Sequence, residues 1–182
     1  AGIASAIRMA ARGYEVSVFE KEDRAGGKIS ELRHGGFRFD TGPSLFTMPE
    51  LVKELFLLAG MDADKAFPIR KLDQSCRYFW EDGIIVTVWS DTERFAEEVF
   101  EKTGTSPQRI RSFLKKSSRL YDLTKDVFIF NSLHNRGNYL SRPYLRALLH
   151  LHELDAFTSM HRKNSRWFSS DKIIQLFDRY AT

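Results

Sequence analysis

Residues 1–28 read AGIASAIRMAARGYEVSVFEKEDRAGGK, and their order decides the fold. Ile3, Ile7, Ala10 and Ala11 recur near helical spacing, and Gly13 after Arg12 supplies a left-handed stop. Tyr14 to Phe19 then alternates and carries two valines and two aromatics, the chemistry of a strand, with Glu20 at its carboxyl end. Helix, glycine stop, strand and acid form the αβ half of a βαβ unit. In a dinucleotide fold the pyrophosphate sits over a glycine turn at a helix N-terminus, where free amides and the helix dipole favour an anion. That turn has the pattern GxGxxG, and Gly2 is its one glycine present. Read as the second glycine, Gly2 puts Ser5 in the third place, where a side chain separates helix from strand. Read as the third, it leaves Glu20 18 residues further on, close to the ~20-residue distance to a ribose-binding acid. We read Gly2 as the third glycine, so the sequence is expected to begin inside the fingerprint, its first strand and first two glycines missing.

Just past the acid, EKEDRAGGK brings Arg24, Gly26, Gly27 and Lys28 together. Two adjacent glycines let backbone approach a diphosphate and a cation offsets its charge; the alternative is an ordinary Gly-Gly turn with solvated neighbours. Lys28 to Arg33, then His34-Gly35-Gly36, then Phe37 to Asp40 reads as a hairpin. Pro49 opens a helix whose stripe is Leu51, Val52, Leu55, Phe56 and Leu58, closed by Gly60. An irregular stretch over 61–73, with Pro68, marks a domain boundary, which we set between 1–66 and 67–182. Cys76 to Trp80, the turn Glu81-Asp82-Gly83, and Ile84 to Trp89 make a second hairpin. Ser90 with Glu93 predicts a capping box for a helix ending at Gly104. Ser106-Pro107 starts a longer helix reaching about Phe130, Arg142-Pro143 starts another, and Ser170-Asp171 starts the last, with Ile173, Leu176, Phe177 and Tyr180 on one face.

Composition narrows the function classes. Hydrophobic content of 42% and aromatic content of 13% in 182 residues describe a folded chain rather than a disordered one. Cys76 is the single cysteine, so no internal disulfide forms, and with no signal-peptide pattern a reducing, cytoplasmic setting is expected. No run approaches the ~18 apolar residues of a membrane-spanning helix. The net charge of +4 is concentrated in the last third, at Arg136, Arg142, Arg146, Arg162, Lys163 and Arg166. Anionic lipid is one partner for such a stretch and water the bland one; no nucleic-acid module is recognisable, so no nucleic-acid partner is expected. His150 and His152, two apart, are expected on different helix faces, unlike a metal pair at four, so no metal is expected. Asp40 and Asp155 are possible proton acceptors, neither assigned a role.

GIASAIRMAARGYEVSVFEKEDRAGGKISELRHGGFRFDTGPSLFTMPEL resembles the N-terminal FAD-binding region of bacterial carotenoid desaturases of the phytoene desaturase type, within the flavin amine oxidase superfamily. DRAGGK and FRFDTGPSLFTMP are its specific part, and FSSDKIIQLFDRYAT is similar to the family's segment just before its Tyr-x-Gly-x-x-Pro stretch. The resemblance implies an α/β fold: a Rossmann-type FAD-binding domain without its first strand, then a partial, largely helical substrate domain with a β-hairpin. It implies FAD as cofactor, held through Gly2 at the phosphate turn and Glu20 at the ribose. Arg24, Gly26, Gly27 and Lys28 would follow the pyrophosphate, and Gly42, Pro43 and Ser44 would lie near the flavin.

The implied activity is desaturation of an apolar carotenoid, with hydride passing to the flavin, although this chain by itself is expected to be inactive. Such chemistry needs positioning more than catalytic side chains, and none is assigned. Alternatives are a carotenoid isomerase, an amine oxidase, or a non-catalytic helical remnant that binds membrane or a partner protein. A polyene arrives from lipid, so a peripheral membrane association is expected. The docking face is expected over Arg136 to Phe168, with Tyr139, Tyr144, Leu148, Leu149, Leu151, Phe157, Trp167 and Phe168 among the basic residues. Oligomeric state is left open.

Overall fold

A computed structural model describes residues 1–43, 46–155 and 157–181 and divides the chain into two units, Ala1–Lys71 and Leu72–Thr182. Among the described residues each unit contains one two-stranded antiparallel sheet, and helices make up most of the rest of the second unit.

In the first unit, α1 (Gly2–Ala10) ends just ahead of Gly13, whose φ of +87° is the expected left-handed stop. Strand β1 (Glu31–His34) pairs with β2 (Phe37–Asp40), Leu32 opposite Phe39 and His34 opposite Phe37. The loop is therefore Gly35-Gly36 alone, at φ +57° and +81°, a left-handed pair matched to strand twist; His34 belongs to the ladder. Helix α2 (Pro49–Leu58) begins with Pro49 and stops ahead of Gly60 at φ +74°. Val52, Leu55 and Phe56 are half-buried, while Leu51 and Leu58 stay exposed. Arg8 of α1 ties to Glu54 of α2 through two bonds of 2.9 and 3.0 Å. The irregular stretch holds one further turn, α3 (Ala63–Ala66), capped by Asp62, which accepts the Asp64 and Lys65 amides.

The expected strand Tyr14 to Phe19 is not one: none of the described residues pairs with it, and Phe19 is 96% exposed. Alternation specifies two faces but supplies no partner for the backbone, and a strand exists only through its ladder. The parallel sheet of a Rossmann-type domain is accordingly absent among the described residues.

In the second unit, β3 (Gln74–Phe79) pairs with β4 (Ile85–Trp89) across a turn in which Asp82 accepts the Ile84 amide and Gly83 takes φ +81°. The expected capping box does not form. Helix α4 (Thr92–Thr103) is capped one residue later by Asp91, whose carboxylate accepts the Arg94 amide at 2.7 Å, while Ser90 Oγ donates to the Leu72 carbonyl. An ionised carboxylate makes the stronger cap. Glu93 instead pairs with Arg111 on α5 (Pro107–Phe128).

Helices α6 (Arg142–Leu149), α7 (Met160–Trp167) and α8 (Asp171–Asp178) follow. The core joins Val86 of β4, Phe95 and Val99 of α4, Ile110 of α5, Phe168, and Ile173, Leu176 and Phe177 of α8. Phe113 packs among Trp167, Phe168 and Phe177 with ring centroids 5.6, 5.0 and 4.5 Å away. Phe168 is therefore core and Trp167 half-buried, so neither belongs to an outward face as expected. Tyr180 lies beyond the end of α8 at Asp178, on the 3-10 turn Arg179–Ala181, and is exposed although it lines a common cavity with Leu176 and Phe177.

Candidate cofactor-binding site

Gly26 and Gly27 adopt φ of +136° and +61°, and the Gly26 carbonyl accepts the Ile29 amide at 3.2 Å. A Cβ at Gly26 would meet the Ile29 carbonyl oxygen at 2.8 Å, so both conformation and space require glycine. Gly42 is held as tightly, against the backbone of Lys28, Ile29 and Ser30. Next to it Thr41 donates its amide to the Ser30 carbonyl at 2.9 Å, and their hydroxyls lie 2.7 Å apart. The AGGK turn and the DTGP segment, 15 residues apart between Gly27 and Gly42, are thus clamped together.

This junction borders an open cleft of about 840 Å³ lined by Arg24, Gly27, Lys28 and Ser30, and also by Glu22, Asp23, Glu31 and Asp40. Glu31 is the residue the sequence reading missed. It accepts from Arg33 at 2.8 Å and Arg24 at 3.1 Å, with Arg38 3.8 Å away. The Arg33 hydrogen bond holds its carboxyl below the usual range against the opposing effect of burial, and Arg24 adds to the effect. Its signal was three arginines within seven positions on either side of one carboxylate. Lys28 has no ion-pair partner among the described residues, so its charge remains for an anion. Glycine backbone in close approach and the Lys28 charge favour an anion at the turn itself, while Glu22, Asp23, Glu31 and Asp40 make the rest of the cleft acidic.

Gly2 and Glu20 do not line the cleft. A Cβ at Gly2 would meet nothing within 4 Å among the described residues. Glu20 is exposed, and its Oε1 accepts the Lys21 and Glu22 amides at 2.8 and 3.0 Å, which fixes the carboxylate at the start of the following turn. Pro43 follows Gly42, and Ser44 lies outside the described residues.

The second unit contains a separate, mostly apolar cavity of about 480 Å³, lined by Val88, Trp89, Phe113, Leu114, Met160 and Tyr180 among others. Trp89 of this lining is held by Glu98, which accepts its indole N–H and the Thr87 amide at 2.6 Å, while Arg94 lies 3.2 Å over the Trp89 ring. Sequence reasoning missed this cavity because its lining comes from six elements with no shared local pattern. His150 and His152 are not on opposed faces: α6 stops at Leu149, a 3-10 turn follows, and the two rings stack with centroids 6.4 Å apart. Asp155 sits at φ +50° with its carboxylate between Lys116 and Lys163, and Asp40 lies 3.9 Å from Arg38.

The chain matches the family model of flavin containing amine oxidoreductases over residues 1–178. It belongs to that family. The family is flavin-dependent, and FAD is the cofactor that membership implies. The chain is 41% identical over its whole length to a 1-hydroxycarotenoid 3,4-desaturase of Flavobacterium sp. (strain P99-3), covering 37% of that protein. It is 30% identical over its whole length to a hydroxyneurosporene desaturase of Rubrivivax gelatinosus, covering 35% of that protein. Over 66% of its length it is 33% identical to a neurosporene-forming phytoene desaturase of Cereibacter sphaeroides, covering 23% of it. The chain thus spans about a third or less of each of these relatives.

Proposed function

We propose that this chain is part of an FAD-dependent carotenoid desaturase and that its first unit belongs to a Rossmann-type FAD-binding domain. The observation that carries the reading is 41% identity along all 182 residues to a 1-hydroxycarotenoid 3,4-desaturase. FAD supplies the hydride acceptor, and the protein's part is binding, orientation and exclusion of water. Lys28 and the Gly26-Gly27 backbone offset and approach the pyrophosphate, and Arg24, held by Glu31, orients the turn. Gly42 keeps the following segment against that turn, with Pro43 and Ser44 assigned to the flavin end. Glu20 accepts from the ribose hydroxyls, and Gly2 is the last glycine of the phosphate turn.

The substrate is an apolar polyene, and the apolar cavity of the second unit is suited to one end of it. Such a substrate reaches the enzyme from lipid. Among the described residues no helix is long and apolar enough to cross a membrane. The proposed docking face is peripheral, on the cytoplasmic side, and is drawn from Leu140, Leu148, Leu149 and Phe157 with Arg136, Arg142 and Arg146, all exposed.

The test is anaerobic mixing of the whole flavoprotein with a 1-hydroxycarotenoid. The oxidised flavin absorption should bleach as the polyene absorption moves to longer wavelength with each added double bond. Flavin that stays oxidised while the polyene spectrum is unchanged rejects the desaturase reading.

A further inference from the structure

We propose that a cavity between the start of α5 and the end of α7 binds a phosphoryl group, a role in which none of the residues assigned to the flavin takes part. The cavity measures about 520 Å³, and Arg109, Lys163 and Arg166 line it together with Ser106, Gln108 and Ser112. No carboxylate is among its lining residues.

Of the three cations, Arg109 is anchored without an ion pair among the described residues, Lys163 shares one carboxylate with a second lysine, and Arg166 is exposed. Arg109 Nη1 donates to the Trp167 carbonyl at 2.9 Å, which anchors the guanidinium through one N–H and leaves the others of its planar fork to a ligand. Lys163 donates to Asp155 at 2.7 Å, but that carboxylate is shared with Lys116 at 2.8 Å, so one negative charge faces two ammonium groups. Arg166 is exposed and has no ion-pair partner among the described residues. Three cations around one cavity repel each other, and an anion between them removes that cost. Ser106, Ser112 and Gln108 add neutral donors on the α5 side. A carboxylate has two oxygens and leaves part of this donor set unmet. A tetrahedral phosphoryl group offers three or more oxygens in different directions and matches an arginine fork bidentately. A lipid headgroup and a free phosphate ester carry the same group.

The experiment titrates the full chain with inorganic phosphate at constant ionic strength, and in parallel floats it with phosphatidylglycerol vesicles. The variants are Arg166→Gln, Arg109→Gln with Arg166→Gln, and Ser112→Asp, which keeps every cation and the Arg109–Trp167 bond but puts a carboxylate into the cavity. Arg12→Gln, in the first unit, is the control. The expected result is saturable phosphate binding weakened about tenfold by the double variant and by Ser112→Asp, with Arg12→Gln like wild type. Parallel loss of vesicle flotation identifies a lipid headgroup as the source, and unaffected flotation identifies a free phosphate ester. If neither phosphate binding nor flotation responds to these variants, the proposal is overturned.

Discussion

The backbone of Gly42 lies so close to Lys28 that a Cβ on residue 42 would stand 2.5 Å from the Lys28 carbonyl oxygen. The obstacle is main chain, which cannot swing aside like a side-chain tip. Gly42→Ala should therefore lose about 1–3 kcal/mol of stability through overpacking and reduce flavin retention in the whole protein. Denaturant unfolding and the flavin-to-protein absorbance ratio report both effects; a variant equal to wild type in both would show that the two segments separate freely.

Glu20→Ala should weaken FAD binding by about 2–4 kcal/mol, the loss of two hydrogen bonds from ribose hydroxyls to a charged acceptor. Because Glu20 is exposed and among the described residues bonds only to the adjacent Lys21 and Glu22 amides, the fold itself should be little changed. Flavin content after prolonged dialysis separates the roles, and full retention removes the ribose assignment.

Phe168→Ala should destabilise the second unit by about 3–5 kcal/mol, since it empties the place where Phe113 and Phe177 meet a side chain that is 2% exposed. Phe157→Ser, at a side chain projecting fully into solvent, should change stability by no more than about 0.5 kcal/mol. Thermal unfolding of the two variants tests the boundary between core and outward face.

Arg142→Gln with Arg146→Gln should weaken flotation of the whole protein with anionic vesicles by about 2 kcal/mol at low salt, ~1 kcal/mol for each cation near the surface. Both residues are exposed on α6, beside Leu148 and Leu149. Flotation equal to wild type would remove α6 from the docking face.

Acid should loosen the second unit through Asp155. Burial pushes its carboxyl up, but hydrogen bonds from Lys116 and Lys163 outweigh burial, and its pKa in the fold lies below the ordinary value. A depressed folded pKa contributes stability that is complete above the unfolded carboxylate value of about 3.9 and is lost as pH falls through the folded one. Asp155→Asn keeps a residue that tolerates the left-handed backbone at φ +50° and removes the charge. Its denaturant midpoint should fall less than that of wild type between pH 5 and pH 2; parallel curves would show that the lysine pair contributes nothing.

Local chemistry was legible in the sequence wherever a residue's own backbone or nearest neighbours decide the outcome. Gly13 stopped a helix, Gly35-Gly36 and Asp82-Gly83 turned hairpins, and Pro49, Pro107 and Pro143 opened helices, because φ preference and a missing N–H act within a few residues. The two glycines of DRAGGK likewise take the positive φ of a turn. Tertiary structure alone decided which apolar residues are inside. Phe168 and Phe157 look alike in sequence, yet one is packed by Phe113 and Phe177 and the other is bare. It decided that Tyr14 to Phe19 has no ladder, that Asp91 rather than Ser90 caps α4, and that Glu31 gathers its arginines. It also decided that Gly42 closes on Lys28. Pairing, burial and charge neutralisation depend on what chain distant in sequence supplies, and side-chain pattern carries no record of that partner.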